Sequence, residues 1–373
     1  MMLEFGIFDH LERPRDVSVA VAYDQRLHLL ARADELGYYA YHLAEHHQSS
    51  LCMAPSQNVF LAAASRVTQR LRLGTLVHLL PLYHPLRLID EICMLDNLSG
   101  GRVDLGLGRG ITALEHTYWG QRPEDAQRRY DETLEILLKG LASDTLDHHG
   151  EFFDFDRVPI ELAPMQRPYP PLWYASGSHE YAAREGMNFV TRPGPRLAEA
   201  VSAYTTVLEA NRHRAGRLNG HVAQPWIGST RHIVVADTDG EAERIARSAY
   251  PTYQENFSKR GMSGPGPETR PDGSVVSVPP GGPGTPEAAD FSRVLRTEAV
   301  LVGSPQTILD YVERYASESG ANYFVAAFQW GSMTHEQALR SVELFGTGVI
   351  PRFSSRAAHA SRASDGALSR VTV

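Results

Sequence analysis

Residues Leu71–Gly110 read LRLGTLVHLLPLYHPLRLIDEICMLDNLSGGRVDLGLGRG, and the periodicity of this stretch decides the fold. Two short apolar runs, Leu71–Val77 and Val103–Leu107, flank a segment with helical spacing. There Leu88, Ile89, Ile92, Leu95 and Leu98 line one face, while Asp90, Glu91 and Asp96 fall elsewhere. Pro85 suits a first helical turn, and Ser99-Gly100-Gly101 stops the helix. Strands joined through a helix should run parallel, with a right-handed crossover.

Working outward, the same unit recurs. Further strands are expected at Leu3–Phe8, Tyr38–Leu43, Leu172–Ala175, Met187–Val190, Trp226–Ala236 and Asn322–Gln329. Helices are expected at Tyr23–Leu36, Ser56–Thr68, Pro123–Leu141, His179–Glu185, Arg196–Arg214, Gly240–Tyr250, Pro305–Ser319 and Thr334–Phe345. Three junctions, ADELGYYAYHL, AAREGMNFV and SESGANYFVAAF, read helix, glycine, strand, with glycine as a left-handed cap. Eight strands alternating with helices predict an α/β chain folded as a (β/α)8 TIM barrel rather than an open doubly wound sheet.

Such a barrel needs about 250 residues, so insertions are expected. Residues 145–157 alternate and read as a hairpin. Residues 261–286 are rich in Pro and Gly and read either as a solvated insertion or as a lid over the site. One domain is expected over residues 1–353, followed by a disordered Ser/Ala/Arg-rich tail, 354–373.

The 373 residues are 42% hydrophobic and 21% charged, ordinary for a globular chain with a large core. A net charge of −8 argues against nucleic acid or an anionic membrane as the main partner. Cys52 and Cys93, both in apolar or helical contexts, point to buried thiols in a reducing compartment. The opening MMLEFGIFDHLERPRD is acidic and interrupted, unlike a signal peptide. No run approaches the ~20 apolar residues of a membrane span. A cytoplasmic location is expected.

In this fold chemistry gathers where strands meet their following loops. That rule selects Phe8, Glu45-His46-His47, Val77-His78, Gly108-Arg109-Gly110, Ser176-Gly177-Ser178 and Gln329-Trp330. Arg109 offers a guanidinium, and Ser176–Ser178 form a small-residue loop opening a helix. On adjacent strands they suit a phosphate. Separately, Arg109 could pair with Glu115, and Ser176 could cap the helix. His46 and His47 are adjacent and so point apart. With no third ligand at suitable spacing, no metal is expected, and His46 reads as structural or as a proton-handling, ligand-facing group. Asp147–Glu151 (DHHGE) also looks metal-like, but its place in a hairpin favours a solvated turn. Gly106–Gly110 imitates a dinucleotide fingerprint with the wrong spacing.

The segments FGIFDH, GYYAYHLAEHH, RLRLGTLVHLLPLYHPLR, MLDNLSGGRVDLGLGRG, YASGS and GSPQTILDYVERY together resemble the luciferase-like flavin monooxygenases, the superfamily of bacterial luciferase. The resemblance covers nearly the whole ordered chain. It implies a TIM barrel that binds FMN, delivered reduced as FMNH2 by a separate flavin reductase, in a protein that commonly pairs as a homodimer through its early helices. By position, Arg109, Ser176, Gly177 and Ser178 match the family's phosphate binders, and Phe8 and Val77 line the isoalloxazine. His46 matches the histidine needed for activity, and a non-proline cis peptide is expected at Leu76–Val77. Gly108 stands near the reactive flavin carbon, where luciferase carries a cysteine, so light emission is not expected.

What the resemblance implies chemically is a C4a-hydroperoxide formed from reduced FMN and O2 and protected in an apolar pocket. His46 would hydrogen-bond the peroxide or shuttle its proton during oxygenation of a small organic substrate. The alternatives are a deazaflavin (coenzyme F420)-dependent hydride-transfer enzyme of the same superfamily and a flavin-binding protein without turnover.

Overall fold

A computed structural model describes residues 3–110, 112–175, 178–194, 196–258 and 290–353, together with two short paired strands at 268–269 and 275–276. Eight parallel strands close on themselves: β1 (Glu4–Asp9), β2 (Ala40–Leu43), β3 (Arg72–Thr75), β4 (Val103–Gly108), β5 (Leu172–Ala175), β6 (Asn188–Thr191), β7 (Ile227–Val235) and β8 (Tyr323–Ala327). Gly6 pairs with Ala40 across β1 and β2, and Glu4 with Tyr323 where β8 returns to β1. This is the (β/α)8 barrel expected from the sequence. All four residues of β2 and all five of β8 are buried, which is why these strands read as continuous apolar runs instead of alternating ones.

Helices pack around the barrel: α1 (Val19–Leu36), α2 (Gln57–Val67), α3 (Pro85–Ser99), α4 (Ala126–Ala142), α5 (His179–Glu185), α6 (Leu197–Asn211), α7 (Asp239–Ser258), α8 (Pro305–Ser319) and α9 (His335–Gly348). Local chemistry sets their ends. Ser18 caps α1 by accepting from the Val21 N–H at 3.2 Å. Gly37 closes it at φ 86°, a left-handed conformation that glycine adopts without a Cβ penalty, and then enters β2. Gly186 and Gly320 end α5 and α8 in the same way.

Three features depart from the expected pattern. A ninth parallel strand, Val300–Gly303, pairs with the outer half of β7, His232–Val235. Its apolar run follows a long Pro/Gly-rich stretch and adds an outer strand beyond the eight of the barrel. Helix α7 continues past Pro251 to Ser258 rather than stopping at Tyr250. Short helices also appear at Ala113–Tyr118 and Phe291–Arg296. The expected hairpin is present as Thr145–His149 against Asp154–Pro159. Most of the 261–286 insertion and the whole 354–373 tail lie outside the described residues.

The main core lies between barrel and helices, where Phe5, Phe324 and Phe345 pack ring against ring. Each such buried side chain stabilises the fold by about 1.5–3 kcal/mol. A smaller cluster fills the barrel: Leu76, Trp173, Val190, Tyr323 and Val325. Beneath it Nε2 of His42 meets the Tyr323 hydroxyl at 2.7 Å. Gly6 makes room for this plug, since a Cβ there would fall 1.9 Å from that hydroxyl. Cys52 and Cys93 are free and buried. Among the described residues no helix is long and apolar enough to cross a membrane.

Candidate active site

The C-terminal mouth begins with an apolar surface. Phe8, Val77 and Ala175, each half-buried, pack on the interior cluster from β1, the end of β3 and β5. The Leu76–Val77 peptide is cis, as expected. A two-residue strand, His78–Leu79, then pairs with Leu107–Gly108 of β4. Gly108 has a steric reason to be glycine, because a Cβ there would sit 2.3 Å from Val77 Cγ2. Val77 therefore lies directly over the Gly108 backbone.

The segment after β2 supplies the polar chemistry. Glu45 is buried and accepts from His47 Nε2 at 2.7 Å, from the Tyr83 hydroxyl at 2.9 Å and from the Leu79 N–H at 3.2 Å. His78 Nδ1 stands 3.6 Å from the same carboxylate. Burial alone would raise the Glu45 pKa, but His47 and His78 outweigh it and hold the group below its ordinary value. His46 points the other way. Its Nδ1 faces Glu115 Oε1 at 3.3 Å, and the same oxygen accepts from the His47 backbone N–H at 2.9 Å. His46 is 12% exposed and Glu115 only 3%, so a buried carboxylate orients an imidazole that still reaches the mouth.

Glu115 was legible in the sequence only as a partner for Arg109, and that pairing is not made. Arg109 is exposed, with no ion-pair partner among the described residues. Its charge is felt by two neighbours. Burial lowers the His116 pKa; Glu115 opposes that shift and Arg109 adds to it. Burial raises the Tyr174 pKa, and Arg109 opposes it. Ser178 caps α5 by accepting from the Tyr181 N–H at 3.2 Å. The capping suggested for Ser176 thus belongs to Ser178, while Ser176 and Gly177 lie outside the described residues.

Other candidates prove structural. Gln329 accepts from Arg26, and the buried Trp330 donates to the Ile233 carbonyl at 3.4 Å. In the hairpin His148 is buried rather than solvated and faces Glu132 at 3.2 Å. Glu132 also accepts from the backbone N–H groups of Glu151, Phe152 and Phe153, anchoring the turn to α4. The rest of the stretch, Asp147, His149, Gly150 and Glu151, is exposed and fits the solvated reading. Among the described residues no group of three or more His, Cys, Asp and Glu could hold a metal ion.

The mouth thus presents an apolar surface at Phe8 and Val77, an exposed guanidinium at Arg109 and an imidazole at His46. Comparison with known proteins bears on what such a mouth binds. The family model for luciferase-like monooxygenases matches residues 2–322. An uncharacterised protein of Sinorhizobium fredii, y4wF, is 38% identical over 344 residues, covering 90% of this chain and 93% of its own. The oxygenase component of the flavin-dependent trigonelline monooxygenase of Acinetobacter baylyi is 28% identical, covering 94% and 96%. Among solved structures, the oxygenating constituent of 3,6-diketocamphane monooxygenase from Pseudomonas putida, in complex with FMN, superimposes with a TM-score of 0.73 at 20% identity, covering 95% and 99%. The fold is also that of the coenzyme F420-dependent tetrahydromethanopterin reductase of Methanopyrus kandleri, with a TM-score of 0.64 at 17% identity, covering 95% and 100%.

Proposed function

The chain belongs to the luciferase-like monooxygenases, and on that premise we propose that it uses reduced FMN and O2 to oxygenate a small organic substrate. It is a flavin-dependent monooxygenase; FMN as the particular flavin, and the residues that hold it, are the proposal. The observation that carries it is the arrangement of the mouth. Phe8 and Val77 form an apolar face, Arg109 stands unpaired among the described residues, and His46 is held by Glu115.

The flavin supplies the redox chemistry when bound. Phe8, Val77 and the Gly108 backbone pack against the ring system. The Arg109 guanidinium meets the phosphate, with Ser176, Gly177 and Ser178, which follow β5 in the sequence, as its further binders. His46 holds or moves a proton at Nε2, because Nδ1 is turned to Glu115. The apolar interior excludes water from the reacting side. A separate reductase would deliver the reduced flavin, in line with the relative named as an oxygenase component. Pairing of two copies through α2 and α3 is supported by their exposed apolar side chains: Val59 at 72%, Met94 at 55% and Leu98 at 45%.

Replacing His46 with Ala tests the proposal. FMN affinity should stay within a few-fold of wild type, while turnover falls by about 10²–10⁴, the usual range for a general acid–base group. Turnover near wild type would make His46 structural and remove the proposed chemistry.

A further inference from the structure

Helix α7 walls the mouth beside His46, and its last turns are held by tertiary contacts. A helix usually ends or kinks at proline, yet α7 runs through Pro251 to Ser258. Gly331, in the loop after β8, lies so close beneath it that a Cβ there would fall 2.1 Å from the Ala249 carbonyl oxygen. The Ser332 hydroxyl donates to the Ser248 carbonyl at 3.1 Å. About two turns further on, Asn256 Nδ2 donates to Glu12 Oε2 at 2.8 Å, and the Gly331 N–H donates to Glu12 Oε1 at 3.1 Å. A single buried carboxyl thus joins the loop after β1, the end of α7 and the loop after β8. Next to Asn256, the half-buried Phe257 ring stands edge-on to His10 at 6.5 Å, and His10 stacks on His46 at 5.8 Å.

We infer that Glu12 is a positioning residue: its carboxyl fixes the last turn of α7, and with it Phe257, against the His10–His46 side of the mouth, and it releases that turn on losing its proton. The inference rests on the reading above only in taking His46 to mark the substrate side.

The surroundings explain why ionisation would loosen the contact. Asp9 of β1 adds a second negative charge near Glu12. The cation at hand, Arg26 of α1, is committed to Asp9 at 2.7 Å and to Gln329 of the loop after β8. Tyr41 of β2 donates to Asp9 at 2.8 Å, and on α7 Glu255 is paired with Arg15 at the surface at 2.5 Å. Burial pushes the Glu12 pKa up to about 7, against the bonds from Asn256 and Gly331.

A released turn exposes this carboxyl to water, where it titrates near 4.5. The docked turn is therefore most favoured below about 4.5 and loses that advantage as pH rises to about 7. Above that, both forms are ionised and the preference levels off. Inside the window the opening constant rises by up to about tenfold per pH unit.

Backbone hydrogen exchange in residues 249–258 of the full-length chain tests this, at about pH 5.5 and about pH 7.5 with intrinsic rates divided out. Between the two, protection of this turn should fall roughly twentyfold more than that of α1 and α9. Glu12→Gln should abolish the excess, because the Asn256 amide can turn over to accept. Asn256→Ala should loosen the turn at both values and keep the pH dependence. Equal protection of the wild-type turn at both values, or an unchanged excess in Glu12→Gln, would overturn the inference. Should the Gln variant not fold, wild type and Asn256→Ala decide the matter between them. FMN titration of the same samples separates the two readings, since failure to bind FMN overturns the proposed function alone.

Discussion

Nδ1 of His46 faces Glu115 Oε1 at 3.3 Å, joining the segment after β2 to the short helix after β4. Because the carboxylate is almost wholly buried and also accepts from the His47 N–H, it fixes both the tautomer and the direction of the ring. Nε2 is thereby left to face the mouth.

Glu115→Ala should therefore lower turnover by about one to two orders of magnitude, a lesser loss than removal of His46 itself. FMN affinity should change little. Stability should fall by roughly 1–3 kcal/mol, because the half-buried His47 N–H loses its acceptor. Steady-state kinetics and a denaturant melt on one preparation check both. Unchanged turnover would show that His46 is positioned without Glu115.

Arg109→Ala should weaken FMN binding by about ten- to a hundredfold, the worth of one charge-assisted contact. Arg109→Lys should recover part of the loss, since charge is kept but the bidentate fork is not. Fluorescence titration reads both variants. A wild-type affinity in Arg109→Ala would place the phosphate elsewhere.

How much of this was readable beforehand depends on how local each signal is. All eight barrel strands were legible, because strands buried on both faces leave continuous apolar runs, and Gly37, Gly186 and Gly320 mark the helix ends beside them. Strand Val300–Gly303 was not, because an eight-stranded barrel leaves no place for a further apolar run directly after the insertion. Nor was the continuation of α7, where contacts to Gly331 and Glu12, remote in sequence, override a proline. His46 and Arg109 stood out as polar residues at strand ends. Glu115 did not, since its partners lie about seventy positions away and no periodicity connects them.

Gly108→Ala would place a Cβ 2.3 Å from Val77 Cγ2. The Val77 methyl would have to give way, so the variant should lose about 1–3 kcal/mol of stability and bind FMN less tightly. Adding Val77→Ala removes the colliding methyl and should restore most of the loss. Strictly additive effects in this double-mutant cycle would mean the two residues do not touch.

Acid stability should report on Glu45. Its folded-state pKa lies below the ordinary 4.5, burial being outweighed by His47 and His78. The stability it contributes is present above about 4.5 and is lost as pH falls through the lower folded value. Glu45→Gln should thus be less stable than wild type near neutrality and show a flatter decline in acid. Urea midpoints across that range check the slope. Parallel curves for the two proteins would show that Glu45 titrates as if exposed.

The most direct measurement is rapid mixing of the protein, loaded with reduced FMN under anaerobic conditions, with oxygenated buffer, following the return of oxidised-FMN absorbance. If the mouth binds reduced FMN and shields its reaction with O2, that absorbance returns in two resolved phases, and more slowly than for free reduced FMN. Reoxidation at the rate of free reduced FMN, or a chain that takes up coenzyme F420 and leaves FMN in solution, would contradict an FMN-dependent monooxygenase.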